Sequence, residues 1–376
     1  MRPGAEPSRR SAVSGMAAQA TRGFDALRAA LPARSRERSY RWALGLAGSM
    51  LGLNLLLLAW AYQARSLAEL LLLSALRALS VALTFIVAHD ACHGALAPGS
   101  RVNHVLGQLC FLPSWHSFTA WRRRHNHIHH RHTNLLQADN AYPPLSPAEY
   151  LAAPRWHRLH YRLSRSISGV WLLYLPELLR WQLGPSRSAR TDYAALDRRY
   201  PLERGTAGLW CLGEIGLFTG LWSGLGWLPA AGMGQPTLFL GGFVLVHVAW
   251  LWLMGFTTFL HHCHPQVCWF GPAQAQVLDP AQRQVHATVH ADLGLLHCAM
   301  LNIFVHTVHH LDTRIPLYRL RAAQQALEAE LGSVVPRWRF GWPGVRRCFA
   351  HCKLWDAQAG CWVGYPAALG RARLSR

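Results

Sequence analysis

The stretch that decides the fold is Trp42–Ala64, WALGLAGSMLGLNLLLLAWAYQA, which contains no charged residue. At about 1.5 Å of helical rise per residue, a stretch of this length is enough to cross a hydrocarbon core of about 30 Å. It therefore predicts a transmembrane helix and places the rest of the chain against a membrane.

Three more apolar stretches follow it, at residues 67–88, 207–228 and 236–260. The first of them carries Arg77 in mid-span, and because a mid-bilayer arginine costs roughly 3 kcal/mol on insertion scales, we expect Arg77 to face a partner or water. The stretch 207–228 is interrupted by Glu214. With 42–64, the pattern predicts an all-α integral membrane protein with four transmembrane helices in two hairpins and a cytosolic helical cap.

The charge is distributed unevenly along the chain. The formal net charge is +20 although 51% of the residues are hydrophobic. Nucleic-acid binding is one interpretation of a strongly basic chain, but the long apolar stretches favour a membrane protein with basic loops. Four spans put residues 1–41, 89–204 and 261–376, with 36 of the 38 basic residues, on one side. The positive-inside rule predicts that this side and both termini are cytosolic, most simply at a bacterial inner membrane.

Histidine is concentrated in three clusters on that same side. They are HDACH at 89–93, WRRRHNHIHHRHTN at 121–134 and HTVHH at 306–310. Neutral imidazole is a good ligand for iron, zinc, copper and nickel. Helix ends or a polar loop would explain any one cluster alone, but three on one membrane face predict a metal site.

The spacing within the clusters selects the candidate ligands. Residues four apart on a helix share one face. Eight histidines exceed the needs of one tetrahedral zinc and suit two metals, and an imidazole set poor in carboxylates favours iron. The candidates are His89, His93, His125, His129, His130, His306, His309 and His310.

Three segments resemble the three histidine boxes of the membrane fatty acid desaturases. They are HDACHG at 89–94, HNHIHHRHTN at 125–134 and HTVHHLDTRIPLYRL at 306–320. The resemblance is strongest to bacterial acyl desaturases of the delta-12 or delta-9 type, and it extends over residues 85–360 in matching order.

The resemblance implies a non-haem diiron oxidoreductase that uses O2 and two electrons to introduce a double bond into a lipid-linked or CoA-linked acyl chain. The eight histidines then become iron ligands, and His262 in LHHCHP at 260–265 becomes a ninth. Outer groups usually orient ligand imidazoles. The candidates for this role are Asp90, Asp139, Asn302 and Asp312.

The remaining histidines of these regions have weaker claims. We expect His127 and His132 to be basic surface residues, and we rank His261 and His264 below His262. The sequence supports equally a site-lining role and a structural role for His286 and His290. No separate catalytic residue is predicted.

Electrons are expected from a separate protein, because the sequence contains neither a cytochrome b5-like haem motif nor a ferredoxin-like cysteine set. A ferredoxin or a cytochrome b5-like donor would be attracted to the basic cytosolic face.

Two alternatives remain at this point. HDACHG also resembles the carotenoid ketolase and hydroxylase branch of the same superfamily. A histidine-rich membrane metal transporter is remote, since a transporter would hold its ligands inside its spans. We expect a mobile cytosolic extension at 1–40, a membrane desaturase domain at 41–360 and a C-terminal tail at 361–376.

Overall fold

The computed structural model describes residues 24–136, 138–139, 141–172, 174–175 and 206–365, which are mostly helical. The α-helices are α1 (Phe24–Ala30), α2 (Tyr40–Ala61), α3 (Leu67–Cys92), α4 (Ser100–Phe111), α5 (Phe118–Arg124), α6 (Pro147–Ala152), α7 (Arg155–Ser164), α8 (Thr206–Gly232), α9 (Pro236–Phe239), α10 (Leu245–His262), α11 (Pro272–Val277), α12 (Pro280–Ala287), α13 (Leu296–Ala299), α14 (His306–Leu311), α15 (Leu320–Leu331) and α16 (Trp342–His351). Strand β1 (His290–Asp292) pairs in parallel with β2 (Arg337–Arg339), and β3 (Leu354–Asp356) pairs antiparallel with β4 (Cys361–Val363).

Three helical stretches are long and apolar enough to cross a membrane. They are α2, α3 and the continuous run Pro236–His262, with mean hydropathies of 1.7, 2.3 and 1.9. Helix α8 occupies the position of the predicted third span, but its glycines and Glu214 dilute its apolar residues. The described part of the chain therefore confirms a mostly helical protein with three candidate spans, and the fourth span stays a prediction.

Helices α2 and α3 form the first hairpin. The side chain of Ser39 caps the start of α2 by accepting from the backbone N–H of Trp42, and Ser66 caps α3 in the same way through Glu69. Such caps satisfy N–H groups that the first helical turn leaves without partners. Leucines of both helices that point away from the packed core are exposed, as expected of side chains that face lipid.

Arg77 is completely buried in the middle of α3, and its partners explain how the apolar span tolerates it. Its Nη1 donates to the carbonyl of Gly242, and its Nε donates to Oδ1 of Asn54 at 3.4 Å. Gly242 lies in a π-helical turn at Leu240–Val244 between α9 and α10. Because a π-turn disturbs the usual helical hydrogen bonding, it leaves a carbonyl for the guanidinium.

Glu214 on α8 is also buried and hydrogen-bonded. Its carboxylate accepts from Oγ of Ser117 at 2.6 Å, and from Oγ1 and the backbone N–H of Thr119 at 2.7 and 3.0 Å. The acid therefore fastens α8 to the start of α5, the helix that leads into the second histidine cluster.

The described part of the predicted N-terminal extension packs on the core. Leu27 of α1 and Leu31, directly after the helix, are buried, and Nε of Arg28 donates to the carbonyl of Leu311 at 2.9 Å. Arg36 pairs with Asp312 at 2.7 Å. Residues 24–36 are therefore packed beside α14 through apolar contacts, a hydrogen bond and an ion pair, and the mobility expected for residues 1–40 stays a prediction. The earlier part of the extension and most of the predicted C-terminal tail lie outside the described residues.

Candidate metal centre

The first two clusters meet where α3 ends. His89 lies in the last turn of α3 and His93 is its C-cap residue, and their Nε2 atoms are 3.4 Å apart. Nε2 of His89 is 2.7 Å from Nε2 of His125. The pair that sequence spacing places on one helix face is therefore joined by a residue of the second cluster.

The second cluster adopts a π-helix at His125–His129 instead of the α-helix that a four-residue spacing suggests. The backbone N–H of His130 donates to the carbonyl of His125 at 3.0 Å, and their Nε2 atoms are also 3.0 Å apart. The wider turn brings His130 beside His125, and the ring of His129 stacks on that of His125 with centroids 5.2 Å apart. The three rings are therefore neighbours, although His129 presents its ligand atom to a different set of histidines.

The nine histidines named from the sequence fall into two groups. Within each group one ligand atom per residue lies within 4.8 Å of all the others. Group one consists of His89, His93, His125, His130 and His309, and group two consists of His129, His262, His306 and His310. In group two, Nε2 of His306 is 3.1 Å from Nε2 of His262 and 3.0 Å from Nε2 of His310.

Hydrogen bonds to Nδ1 orient two members of group two. Nδ1 of His129 donates to Oδ1 of Asp139 at 2.9 Å. Nδ1 of His262 donates to Oδ1 of Asn134 at 3.2 Å, and the amide is oriented by donating from its Nδ2 to the carbonyl of Cys268 at 3.0 Å. With hydrogen on Nδ1, each ring presents the lone pair of Nε2 to the centre of the group.

Gln284 on α12 orients a third member. Its Oε1 accepts from Nδ1 of His310 at 3.2 Å while its Nε2 donates to the carbonyl of His130 at 2.5 Å. Three Nε2 lone pairs thus converge in group two. Lone pairs packed so closely repel one another unless a cation lies between them, so the donor set fits a metal ion.

The donor set of group one also fits a metal ion, because it contains a buried ring nitrogen to which the described residues offer no hydrogen-bond partner. Nε2 of His309 is buried and has no hydrogen-bond partner among the described residues. A buried nitrogen without a partner is costly, and a metal ion at the centre of the group would satisfy it. No carboxylate belongs to either group in the described part of the chain.

The protonation state of the histidines suits metal binding. Burial, followed by the proximity of other histidines, lowers the pKa of five group members well below the usual range, namely His93, His125, His130, His306 and His310. The same causes lower the pKa of His309 to about 3. These imidazoles are therefore neutral at physiological pH, and a metal need not displace protons from them.

Of the four outer candidates, Asp139 contacts a histidine of the groups. Asp90 accepts from the backbone N–H of Leu317, and Asn302 donates to the carbonyl of the same residue. Asp312 accepts from Arg36 and Arg314. The hydrogen bonds of these three support the loops around the groups instead of the imidazoles themselves.

The other histidines lie around the groups. His261 stacks on His306 with ring centroids 3.9 Å apart. His290 pairs with Glu328 at 2.5 Å, and His264 packs on Trp338. His127 is exposed, as predicted for a surface residue, whereas His132 and His286 are half-buried.

Sequence reasoning missed Asn134, Gln284 and Thr133, whose Oγ1 lies 3.1 Å from Nδ1 of His310. Asn134 and Thr133 stand inside the second cluster, so their position was a usable signal. Gln284 lies in a segment without any motif.

An apolar cavity lies directly against both groups. It is lined by side chains of α3 and α10 and by histidines of both groups, including His89 and His125 of group one and His129 and His306 of group two. The space within it, including its open mouth, amounts to about 970 Å³. The other lining residues include Leu79, Phe85, Ile86, Tyr174, Trp250, Leu253, Met254 and Ile303. Its apolar lining suits a hydrocarbon ligand beside the two groups.

Comparisons with known proteins agree with this geometry. The sequence profile described as "Fatty acid desaturase" matches residues 64–342. The sn-1 oleoyl-lipid 12-desaturase of Synechocystis sp. is 29% identical over 282 residues, covering 73% of each chain. The corresponding enzyme of Picosynechococcus sp. is 28% identical over 286 residues, covering 73% of each chain. The chloroplastic omega-6 fatty acid desaturase of Spinacia oleracea is 24% identical over 291 residues, covering 76% of this chain and 59% of the spinach protein.

These matches confirm the resemblance predicted from the histidine boxes and the activity it implied, that of an oxidoreductase that introduces a double bond into an acyl chain. The match covers most of the chain and includes both histidine groups and the cavity between α3 and α10. The chain belongs to the fatty acid desaturase family.

Proposed function

We propose that the two histidine groups hold two iron ions, one in each group, and that the enzyme uses O2. The observation that carries this proposal is the convergence of imidazole nitrogens in two groups that, among the residues the structure describes, include no carboxylate. An all-nitrogen set disfavours magnesium, calcium and manganese, and nine ligands exceed one tetrahedral zinc.

The proposed substrate is the acyl chain of a membrane glycerolipid, and the proposed product carries a new double bond at carbon 12 of an oleoyl-type chain. The cyanobacterial relatives are named as sn-1 oleoyl-lipid 12-desaturases. The apolar cavity supports a hydrocarbon substrate, since it is lined mainly by aliphatic and aromatic side chains.

A bound iron pair would catalyse the oxidation, by O2, of two C–H bonds on adjacent carbons of the acyl chain. The reaction takes two electrons and two protons from outside and releases two waters. The protein positions the substrate. Leu79 and Ile86 of α3 line the same cavity as Leu253 and Met254 of α10, so an acyl chain in the cavity would lie beside both histidine groups.

Side chains at the histidine end of the cavity exclude water. Phe85 packs on Trp121 and on Trp250, each with ring centroids 4.9 Å apart, and Trp121 stacks on His125 at the same distance. A dry site protects the oxidising chemistry from side reactions with water. The imidazole hydrogen bonds to Asp139, Asn134 and Gln284 keep the ligands oriented through the reaction.

Topology and electron supply belong to the same proposal. Four spans would put both termini, the histidine groups and the basic loops in the cytosol, where a bacterial inner membrane or an equivalent membrane supplies the substrate. A separate acidic donor of the ferredoxin or cytochrome b5 class would approach the basic face. The proposed domain limits remain 41–360 for the membrane desaturase domain.

The carotenoid alternative is less favoured, because the relatives named above act on acyl chains. The transporter alternative is disfavoured as well, because the histidine groups lie at the ends of α3 and α10 instead of in mid-span.

The test is expression in a host whose lipids contain saturated and monounsaturated acyl chains, followed by analysis of fatty acids and of added carotenoids. We expect a new diunsaturated acyl chain and unchanged carotenoids. His129→Ala should abolish the product, and the matched control His127→Ala should retain it because His127 is exposed and outside both groups. Modified carotenoids with unchanged lipids would overturn the proposed substrate, and full activity of His129→Ala would overturn the site.

A further inference from the structure

Helix α7 exposes three large apolar side chains. Trp156 is 73% exposed, Leu159 is 59% exposed and Leu163 is 45% exposed. Their spacing of three and four residues puts them in one stripe along the helix. An exposed apolar stripe of this kind marks a surface that another apolar phase or molecule covers.

Arginine lines one edge of this stripe. Arg155, Arg158 and Arg162 repeat the same spacing one position away from Trp156, Leu159 and Leu163, so they lie about 100° around the helix. The helix RWHRLHYRLS contains no acidic residue. The edge of the helix beside the stripe is therefore complementary to anions.

The opposite face fixes the orientation of the helix. Tyr161 and Ser164 are buried, and the Tyr161 hydroxyl accepts from the backbone N–H of Leu145 at 2.9 Å and donates to the carbonyl of Lys353 at 2.6 Å. The helix is thus held to the protein along one side, and the stripe points outward.

The residues after α7 place it at the boundary of the apolar helices. Arg165 lies with its guanidinium 5.7 Å from the ring of Phe259, which is less than one turn from the end of α10. Ile167 accepts a hydrogen bond at its carbonyl from Nε1 of Trp252 at 2.7 Å. Trp252 is about 10 Å deeper along α10 than Phe259. The chain therefore leaves α7 and descends along a candidate span.

The same descending segment reaches the substrate cavity. The hydroxyl of Tyr142 donates to the carbonyl of Val170 at 2.7 Å, and both Tyr142 and Tyr174 line the cavity. Helix α7 is thus separated by only about ten residues of sequence from Tyr174 in the wall of the cavity.

We propose that α7 lies in the headgroup region of a membrane leaflet, with Trp156, Leu159 and Leu163 in the acyl boundary and Arg155, Arg158 and Arg162 on anionic phospholipid headgroups. Amphipathic helices with tryptophan and leucine on one face and arginine beside it bind such surfaces. This inference rests on the membrane placement proposed above. It adds a preference for anionic lipid and a link from that lipid to the cavity wall.

The test is hydrogen exchange of the peptide 155–164 in the full chain, reconstituted in nanodiscs of phosphatidylcholine alone or mixed with phosphatidylglycerol. We expect slower exchange with phosphatidylglycerol. Each arginine replaced should reduce the ratio of the exchange rates in the two lipids by about fivefold, so this ratio should fall in the Arg155→Gln/Arg158→Gln/Arg162→Gln variant. The control Arg321→Gln/Arg346→Gln/Arg347→Gln removes the same charge from exposed positions of other helices and should keep the difference. Trp156→Ala should speed exchange in both lipids.

Equal exchange in the two lipids would overturn the inference. Protection in detergent that disappears on dilution of the protein would also overturn it, because a second copy would then cover the stripe. Alkaline extraction and desaturation are measured on the same samples. A chain that stays embedded and active while failing the exchange test refutes this inference alone, whereas a chain released by alkali refutes the membrane placement.

Discussion

Asp139→Asn is the most informative single substitution near the histidine groups. The carboxylate is completely buried, and its Oδ1 accepts from Nδ1 of His129 at 2.9 Å and from the backbone N–H of Ala141 at 3.1 Å. Its Oδ2 accepts from the backbone N–H of Asn134 at 2.7 Å. An amide keeps one acceptor and turns the other oxygen into a donor, so either the imidazole or the Asn134 N–H loses its partner.

The expected magnitude follows from that lost acceptor. Leaving a buried donor unpaired costs about 1–3 kcal/mol, which corresponds to roughly a 5- to 150-fold change in an equilibrium. Loss of an outer partner of a ligand histidine typically costs about 10–100-fold in metal affinity or activity. Both routes lead us to expect about 10–100-fold weaker retention of iron by Asp139→Asn.

The assay is competition with an iron chelator on purified protein, with the fatty acid product measured in parallel. Asp279→Asn is the matched control, because Asp279 caps α12 through the backbone N–H of Ala281 and asparagine caps a helix equally well. Iron retention by Asp139→Asn equal to that of the wild type and of the control would refute the assigned role of the carboxylate.

Three further predictions concern other parts of the structure. Gln284→Leu removes the acceptor of His310 and should weaken iron retention by about tenfold in the same chelator assay; unchanged retention would contradict the tautomer assigned to His310. Tyr174→Ala removes an aromatic wall of the cavity, so longer acyl chains should be accepted, as measured by gas chromatography of the products, and an unchanged chain-length profile would count against the cavity as the substrate site. Arg337→Gln removes the hydrogen bond that, more than any other cause, lowers the pKa of Asp292 to about 2. Because Asp292 is partly exposed, the variant should lose at most about 1 kcal/mol of stability at pH 7. This loss should be complete above about pH 4 and shrink as the pH falls through 2, below which Asp292 is protonated in both the folded and the unfolded state. A pH-independent loss would contradict the pairing.

The apolar spans and the histidine clusters could be predicted because each depends on local sequence. A run without charge such as Trp42–Ala64 has one stable solution in a bilayer. Nine histidines were identified from their spacing and from the family's boxes, and the structure brings the same nine together. Their division between two groups could not be predicted, because the π-turn at His125–His129 shifts the register by one residue.

The hydrogen-bond partners of buried polar side chains could not be predicted from the sequence either. Arg77 was expected to need a partner, but the carbonyl of Gly242 becomes available only through a second π-turn, more than 160 residues away. Gln284 reaches two clusters at once from a helix without any motif. Such contacts depend on how distant segments pack, and no local pattern records them.

The central claim is that two irons occupy the two histidine groups. The measurement that tests it most directly is the metal content of the purified, active chain by inductively coupled plasma mass spectrometry. Two irons per chain, with zinc far below one per chain, is the predicted result. One zinc per chain in place of iron, or a single iron in a fully active preparation, would contradict the claim.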